Sequence, residues 1–160
     1  MPVQRLLWSL LIFLTVWIVS PPVQAASIDP YVARYLRAVE PVPVILNEQG
    51  QTRSFSPQAL SEGKHLFEDN CKGCHVGGST LPNPLVSLSL ADLQGATPPR
   101  ATINSLVAYL RQPMTYDGSE EAVFCRQVPE SWLSQAQVEN LAAFILQAAE
   151  KAPGWGTNRF

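Results

Sequence analysis

Apolar and polar positions along this chain fall into a few distinct periods. Residues 6–19 are apolar except for Ser9 and Thr15. Within 26–40, Tyr31, Tyr35, Leu36 and Val39 recur at helical spacing with Arg34 and Arg37 between them, and Pro30 and Pro41 bracket the segment. Val42-Pro43-Val44-Ile45-Leu46 and residues 51–55 flank Asn47-Glu48-Gln49-Gly50. That pattern predicts a small β-hairpin with a glycine-containing turn, its proline-bearing first arm at a sheet edge. Ser56-Pro57 then starts a helix, with serine at the N-cap and proline at the first helical position. The spacing predicts a helix over 58–70 with Leu60, Gly63, Phe67 and Cys71 along one face. A mid-helix glycine costs about 1 kcal/mol against alanine, so Gly63 predicts a second helix crossing closely there.

Residues 77–101 show little regular period. Gly77-Gly78, Pro82, Pro84, Gly95 and Pro98-Pro99 predict a long loop, with Leu81, Leu85, Leu88, Leu90 and Leu93 spread through it. Thr102 caps a further helix in which Ile103, Leu106, Val107 and Leu110 share a face, and Pro113 stops it. Residues 114–133 form a turn-rich connection with Asp117-Gly118, a short helix expected around 120–124, and Pro129. Ser134-Gln135-Ala136-Gln137 is a capping box. Val138, Leu141, Ala142, Ile145 and Leu146 follow as one apolar stripe, ended by Pro153 and Gly154. The sum is a mostly α-helical domain with a small N-terminal β-hairpin and no internal repeat.

Arg5 ahead of the first apolar run, and small residues in Val23-Gln24-Ala25, mark a secretory signal with cleavage expected after Ala25. A retained membrane anchor is the alternative, disfavoured by the shortness of the run. Residues 26–56 then read as an N-terminal extension and hairpin, and 57–160 as the main domain. Without the signal the chain carries 10 basic and 13 acidic side chains, a net charge of −3. The basic residues are scattered, which argues against a nucleic-acid partner. An acidic exported protein suits a basic or mixed-charge partner surface, with peripheral membrane association at most.

The chemistry concentrates in Cys71-Lys72-Gly73-Cys74-His75. Cys-x-x-Cys-His is the attachment pattern of a c-type haem. Two cysteines one helical turn apart can both form thioethers to the porphyrin, and the next histidine supplies the proximal iron ligand. A redox Cys-x-x-Cys and half of a zinc site are the competing readings. The first needs a βαβ pattern and the second another ligand pair, and neither is present. A haem also accounts for the long loop, whose leucines can pack on porphyrin.

The other face of the iron has few claimants. His65 lies on the helix that enters the motif and reads as a surface imidazole. Met114 follows Pro113. Cys125, the third of 3 cysteines, lies in the apolar run Ala122-Val123-Phe124-Cys125, suited to lining a haem pocket. Cys125 as thiolate is the leading distal ligand, Met114 the alternative, and a vacant or water-bound position the third option. A buried small hydrophobe or an intermolecular disulfide is the non-ligand reading of Cys125. An anionic sulfur donor stabilises iron(III), so the expected potential is low.

From about residue 42 onward the chain resembles the extrinsic cytochrome c-550 family of photosystem II, and its departures suggest a c-550-like paralogue. The resemblance rests on Val44-Ile45-Leu46-Asn47-Glu48-Gln49-Gly50, Glu62-Gly63-Lys64, Leu66-Phe67 and the haem motif through Gly78. It continues in Ala96-Thr97-Pro98-Pro99-Arg100, Leu106-Val107-Ala108-Tyr109, the stretch from Pro113 through Thr115-Tyr116-Asp117-Gly118, and Trp155-Gly156. It implies a class I cytochrome c fold, one low-potential haem c per chain, and a place in the thylakoid lumen against photosystem II, supporting the oxygen-evolving centre. The family's distal ligand is a histidine shortly after the Tyr-Asp-Gly stretch; here no histidine follows His75, and Cys125 falls near that position.

The expected function is therefore electron transfer or a redox-poised auxiliary role, with photosystem II lumenal subunits or a soluble redox protein as partner. An extrinsic stabilising subunit with a structural haem, and a haem sensor or enzyme with a labile cysteine, are the alternatives. No distal His/Arg pair suggests peroxidase chemistry, and Arg126 reads as a solvated loop cation.

Overall fold

The computed structural model describes residues 27–80 and 86–157. The signal segment, Leu81, Pro82, Pro84 and Leu85 lie outside the described residues.

The first helix, α1 (Pro30–Tyr35), is short because its ends are specified locally. The Asp29 carboxylate accepts from the Tyr31 amide at 2.7 Å, and Pro30 is the first helical residue rather than a bracket outside it. The chain leaves the helix through Arg37, whose φ of 54° is the left-handed turn usual after a helix C-terminus. That exit breaks the expected stripe. Leu36 and Ala38 turn inward and Val39 is 64% exposed, because the 3.6-residue period ends before it reaches Val39.

Strands β1 (Val42–Ile45) and β2 (Thr52–Phe55) form the antiparallel hairpin, with Val42 opposite Phe55 and Ile45 opposite Thr52. Gly50 supplies the positive φ of 76° that the turn requires. Val44 and Phe55 point into the core. Val32, Leu36, Val44 and Phe55 belong to the same hydrophobic cluster as the helices that follow, so the N-terminal residues are packed as part of one core. Arg53 ties the hairpin outward, its guanidinium 2.6 Å from the Glu139 carboxylate and 4.7 Å from the centre of the Phe55 ring.

Ser56 caps α2 (Pro57–Asn70), accepting from the Ala59 amide at 3.1 Å. The expected loop over 77–101 is interrupted by α3 (Leu90–Gly95), capped by Ser89 and anchored by buried Leu93. Its six residues are too few to display a helical period, which is why the pattern reads as loop. Helix α4 (Ile103–Arg111) begins at the Thr102–Ser105 capping box. The short helix expected around 120–124 does not form. Met114 pairs with Glu121 as an isolated antiparallel bridge, which holds that stretch extended.

The last helix, α5 (Gln135–Lys151), is the centre of the molecule. Its first half carries the expected stripe, but every residue from Leu141 to Ala148 is buried. Helices α2, α3 and α4 and strand β1 all pack against it. The closest approach is at Gly63. A β-carbon there would lie 2.0 Å from the Asn140 carbonyl oxygen and 2.9 Å from the Phe144 β-carbon. Beside the crossing, Phe67, Phe144 and Trp155 pack in a ring cluster with centroids 5.3 to 5.8 Å apart. Trp155 donates to the Leu88 carbonyl at 2.9 Å and lies against Gly78, so the C-terminal tail covers the segment following the haem motif.

Two measurements test these contacts. Gly63→Ala should destabilise the fold by about 2 kcal/mol in denaturant unfolding, because overpacking against a backbone carbonyl outweighs the gain in helix propensity. The second concerns Glu139, whose carboxyl is raised by burial but lowered further by Arg53 and Gln135, for a net depression below 4.5. A depressed carboxylate contributes stability above its unfolded pKa and loses it as pH falls through the folded value. Thermal melts of wild type and Glu139→Gln should therefore differ at neutral pH and converge in acid below the folded pKa.

Candidate haem site

Helix α2 ends at Asn70, but the chain keeps coiling. The Cys71 and Lys72 amides donate to the Phe67 carbonyl at 2.8 and 3.0 Å. The Cys74 and His75 amides donate to the Cys71 carbonyl at 3.1 and 2.9 Å. The pentad is thus one further turn on the helix end, with Cys71, Cys74 and His75 spaced to share a side. Cys71 and His75 are half-buried, Cys74 is exposed, and all three cysteines of the chain are free thiols.

One hydroxyl fixes the His75 ring. Thr80 Oγ1 lies 3.0 Å from His75 Nδ1 and gives its own proton to the Val86 carbonyl. A hydroxyl has a single proton to donate, so Nδ1 must be the donor in the first of these bonds. Nε2, on the far side of the ring, then carries the lone pair. Burial lowers the pKa of His75, which keeps the imidazole neutral. A neutral ring with Nδ1 protonated and Nε2 bare meets the requirement for an imidazole ligand.

The loop after α4 brings Cys125 to the same place. At one end the Ala122 amide donates to the Pro113 carbonyl at 3.0 Å. At the other the Val128 amide donates to the Leu110 carbonyl at 2.9 Å, and Arg111 Nη1 to the Val128 carbonyl at 2.8 Å. Cys125 lies between these anchors. It is close enough to Cys71 and Cys74 for their charges to act on one another, although it lies 50 positions past His75, where the motif ends. Burial pushes the Cys71 thiol up to about 12, and Cys125 and Cys74 add to the rise. Burial also raises Cys125, against which the Tyr109 hydroxyl and the Arg100 guanidinium pull downward. Tyr109 is raised in turn by burial and by Cys125.

The remaining expected residues fall elsewhere. Met114 is half-buried at the start of the loop, held by its bridge to Glu121 and by its carbonyl, which accepts from Arg100 Nη2 at 3.1 Å. His65 stays on the surface as expected, its side chain 65% exposed. Arg126 is exposed, and its guanidinium stacks over Trp132 at 4.5 Å. In the run before Cys125, Val123 is 90% and Phe124 76% exposed, while Ala122 and Cys125 are half-buried.

Thr80, Arg100 and Tyr109 escape the sequence reading as site residues. Thr80 carries no motif at all. Tyr109 falls outside the apolar face of its helix and has only its place in the Leu106-Val107-Ala108-Tyr109 stretch. Arg100 had one signal, its place in the Ala-Thr-Pro-Pro-Arg stretch. That stretch packs against the Tyr-Asp-Gly stretch: the Thr97 amide donates to the Tyr116 carbonyl at 2.8 Å, and Gly118 presses on the Thr97 carbonyl where a β-carbon would sit at 2.4 Å. Asp117 closes this turn by accepting from the Thr115 hydroxyl and from the Ser119 hydroxyl and amide, which hold its carboxyl at about 2.

A helical fold of this order, with a Cys-x-x-Cys-His turn extending α2 and a terminal helix crossing at Gly63, defines a class I c-type cytochrome. Residues 33–160 match the cytochrome c-550 domain, and the chain belongs to the cytochrome c-550 family. It is 58% identical over 94% of its length to the cytochrome c-550-like protein of Thermosynechococcus vestitus, of which the match spans 87%. It is 55% identical over 84% of its length to photosystem II extrinsic protein V of Gloeobacter violaceus, of which the match spans 73%. Among solved structures, the PsbV2 cytochrome of Thermosynechococcus elongatus superposes with a TM-score of 0.80 at 60% identity, covering 82% of this chain and all of that one. Proteins of this family carry covalently bound haem c. The free thiols of Cys71 and Cys74 and the bare Nε2 of His75 fit such a group.

Proposed function

We propose that this chain is a low-potential monohaem cytochrome that serves as an electron carrier or redox-poised auxiliary subunit on the lumenal side of photosystem II. Cys71 and Cys74 would hold one haem c through thioethers, and His75 Nε2 would take the proximal iron position. The bound group supplies a one-electron couple; the chain's residues set its potential and shield it. Cys125 would take the distal position as thiolate. The observation that supports this assignment is the return of the loop between Pro113 and Val128, which brings Cys125 within electrostatic range of Cys71 and Cys74. The role is electron transfer rather than catalysis of a reaction.

Relatives and the sequence both support this location. A relative bearing the name photosystem II extrinsic protein V is 55% identical. The first 25 residues have the form of a cleaved export signal. Among the described residues no helix is long and apolar enough to cross a membrane. Together these support a mature chain in the thylakoid lumen, peripheral on the lumenal side of the membrane.

Electron paramagnetic resonance of the ferric protein should show a low-spin thiolate signature, with a low potential in a parallel redox titration. Cys125→Ala should abolish that signature and raise the potential, while Met114→Leu should change neither. Retention of the wild-type spectrum in Cys125→Ala, with its loss in Met114→Leu, would assign the distal position to Met114 instead. For the partner, photosystem II particles stripped of their own extrinsic cytochrome should bind this protein and recover part of their oxygen evolution. Neither binding nor recovery would leave it an independent lumenal carrier.

A further inference from the structure

After α5 the chain turns back, and residues 153–157 run along the segment that follows the haem motif. The Gly156 amide donates to the Gly77 carbonyl at 2.8 Å, and the Ser79 hydroxyl donates to the Thr157 carbonyl at 2.7 Å. Trp155 Nε1 donates to the Leu88 carbonyl at 2.9 Å. Two glycines allow this close approach. A β-carbon at Gly78 would lie 2.6 Å from the Trp155 indole, and one at Gly156 would lie 2.6 Å from the Ser89 amide nitrogen. Ser79 is 3% and Trp155 9% exposed, so their polar groups are costly to leave unpaired. The tail is itself anchored, because the Trp155 ring packs on Phe67 and Phe144.

The positions braced by the tail belong to two arms that bond to each other. The Leu88 amide donates to the Gly78 carbonyl at 2.6 Å, and Thr80 Oγ1 donates to the Val86 carbonyl. The tail holds residues 77–79 on one arm and Leu88 and Ser89 on the other. Thr80 and Val86 lie between them in the chain, and the Thr80 oxygen accepts from His75 Nδ1 at 3.0 Å. A threonine has one stiff side-chain torsion, so this oxygen goes where its backbone goes. The local bond at Nδ1 thus has a long-range support.

We propose that the C-terminal tail is a positioning element for the proximal imidazole: Trp155 and Thr157, acting through Leu88 and Ser79, hold Thr80 where it accepts from His75 Nδ1 and so set the donor strength of Nε2. This rests on the haem reading with His75 as proximal ligand, and it stands whichever residue takes the distal position. An acceptor on the second ring nitrogen of a ligating histidine orients the ring and makes it more basic. A stronger nitrogen donor favours iron(III), so the tail lowers the potential. Loosening the tail weakens the bond at Nδ1 without altering His75 or the two motif cysteines.

The test is a redox titration of the holoprotein, with ferric electron paramagnetic resonance and thermal melts on the same samples. Thr80→Val keeps the shape and removes the hydroxyl. At a fixed poise it should shift the ratio of reduced to oxidised protein about tenfold toward reduced, a potential about 59 mV higher. Ser79→Ala removes the donor to Thr157. Trp155→Phe removes the donor to Leu88 and keeps a ring beside Phe67 and Phe144. Each should shift the same ratio toward reduced by about threefold and alter the ferric g-values. Combined with Thr80→Val, neither should move the potential further, because both act through that hydroxyl. Should Trp155→Phe fail to fold, Ser79→Ala still decides. Lowered melting temperatures in Ser79→Ala and Trp155→Phe, with potential and g-values unchanged, would make the tail a stabilising strap only and overturn the proposal. So would an unchanged potential in Thr80→Val, or equal shifts from the tail variants with and without the Thr80 hydroxyl. Each of those outcomes leaves the haem reading standing. Wild-type protein whose mass shows no haem bound through Cys71 and Cys74 sinks the haem reading and this proposal with it.

Discussion

The contact on which the rest of this molecule depends is the crossing of α2 and α5 at Gly63. A hydrogen in place of a side chain lets the two backbones approach until the Asn140 carbonyl fills the space a methyl would need. That distance brings Phe67 onto Phe144, and Phe144 onto Trp155. It also fixes the direction in which α2 delivers its last turn, and so the position of Cys71, Cys74 and His75. The crossing unites the chain's beginning and end early in the architecture. The loops between them are left to be shaped by local caps, anchors and the site itself.

The two sides of the proposed iron position are organised by different means. On the proximal side the control is local: Thr80, five residues past His75, sets the tautomer with one hydroxyl. On the distal side it is long-range. Cys125 belongs to no regular element, and its placement depends on anchors to Pro113, Leu110 and Arg111 and on Arg100 reaching across to the loop. Burial raises the thiols of Cys71 and Cys125 and lowers the pKa of the His75 imidazole, which favours its neutral form. Such a cluster has little to gain from the chain alone. A covalently bound, largely apolar cofactor with a cationic centre is what reconciles it.

Some features of the fold were legible because their causes are local. Ser56-Pro57, the Thr102 cap and the Ser134–Gln137 capping box each satisfy helix-end donors within a few residues, so the starts of three helices could be read directly. The hairpin followed from alternation about a glycine turn. Where the period was cut short, the reading failed. Val39 looked like the end of a stripe, but Arg37 turns the chain out of the helix first. Helix α3 was too short to show a period, and residues 120–124 were drawn into a bridge with Met114 instead of coiling. Residues 141–148 of α5 exceed a stripe because the helix is surrounded, and a one-dimensional pattern registers only one face at a time.

The chemistry of the attachment turn is local to five residues. Cys-x-x-Cys-His is contiguous, and backbone hydrogen bonding over five residues suffices to arrange it. A count of His, Met and Cys also determined which residues were available as a second ligand. Which of them comes near the motif, the bond from Thr80 to His75, and the stacking of Arg100 on Tyr109 depend on tertiary packing. Those relations join residues brought together by loop anchors and a helix crossing. No local propensity encodes them, because the interactions exist only after α2, α4 and α5 have packed.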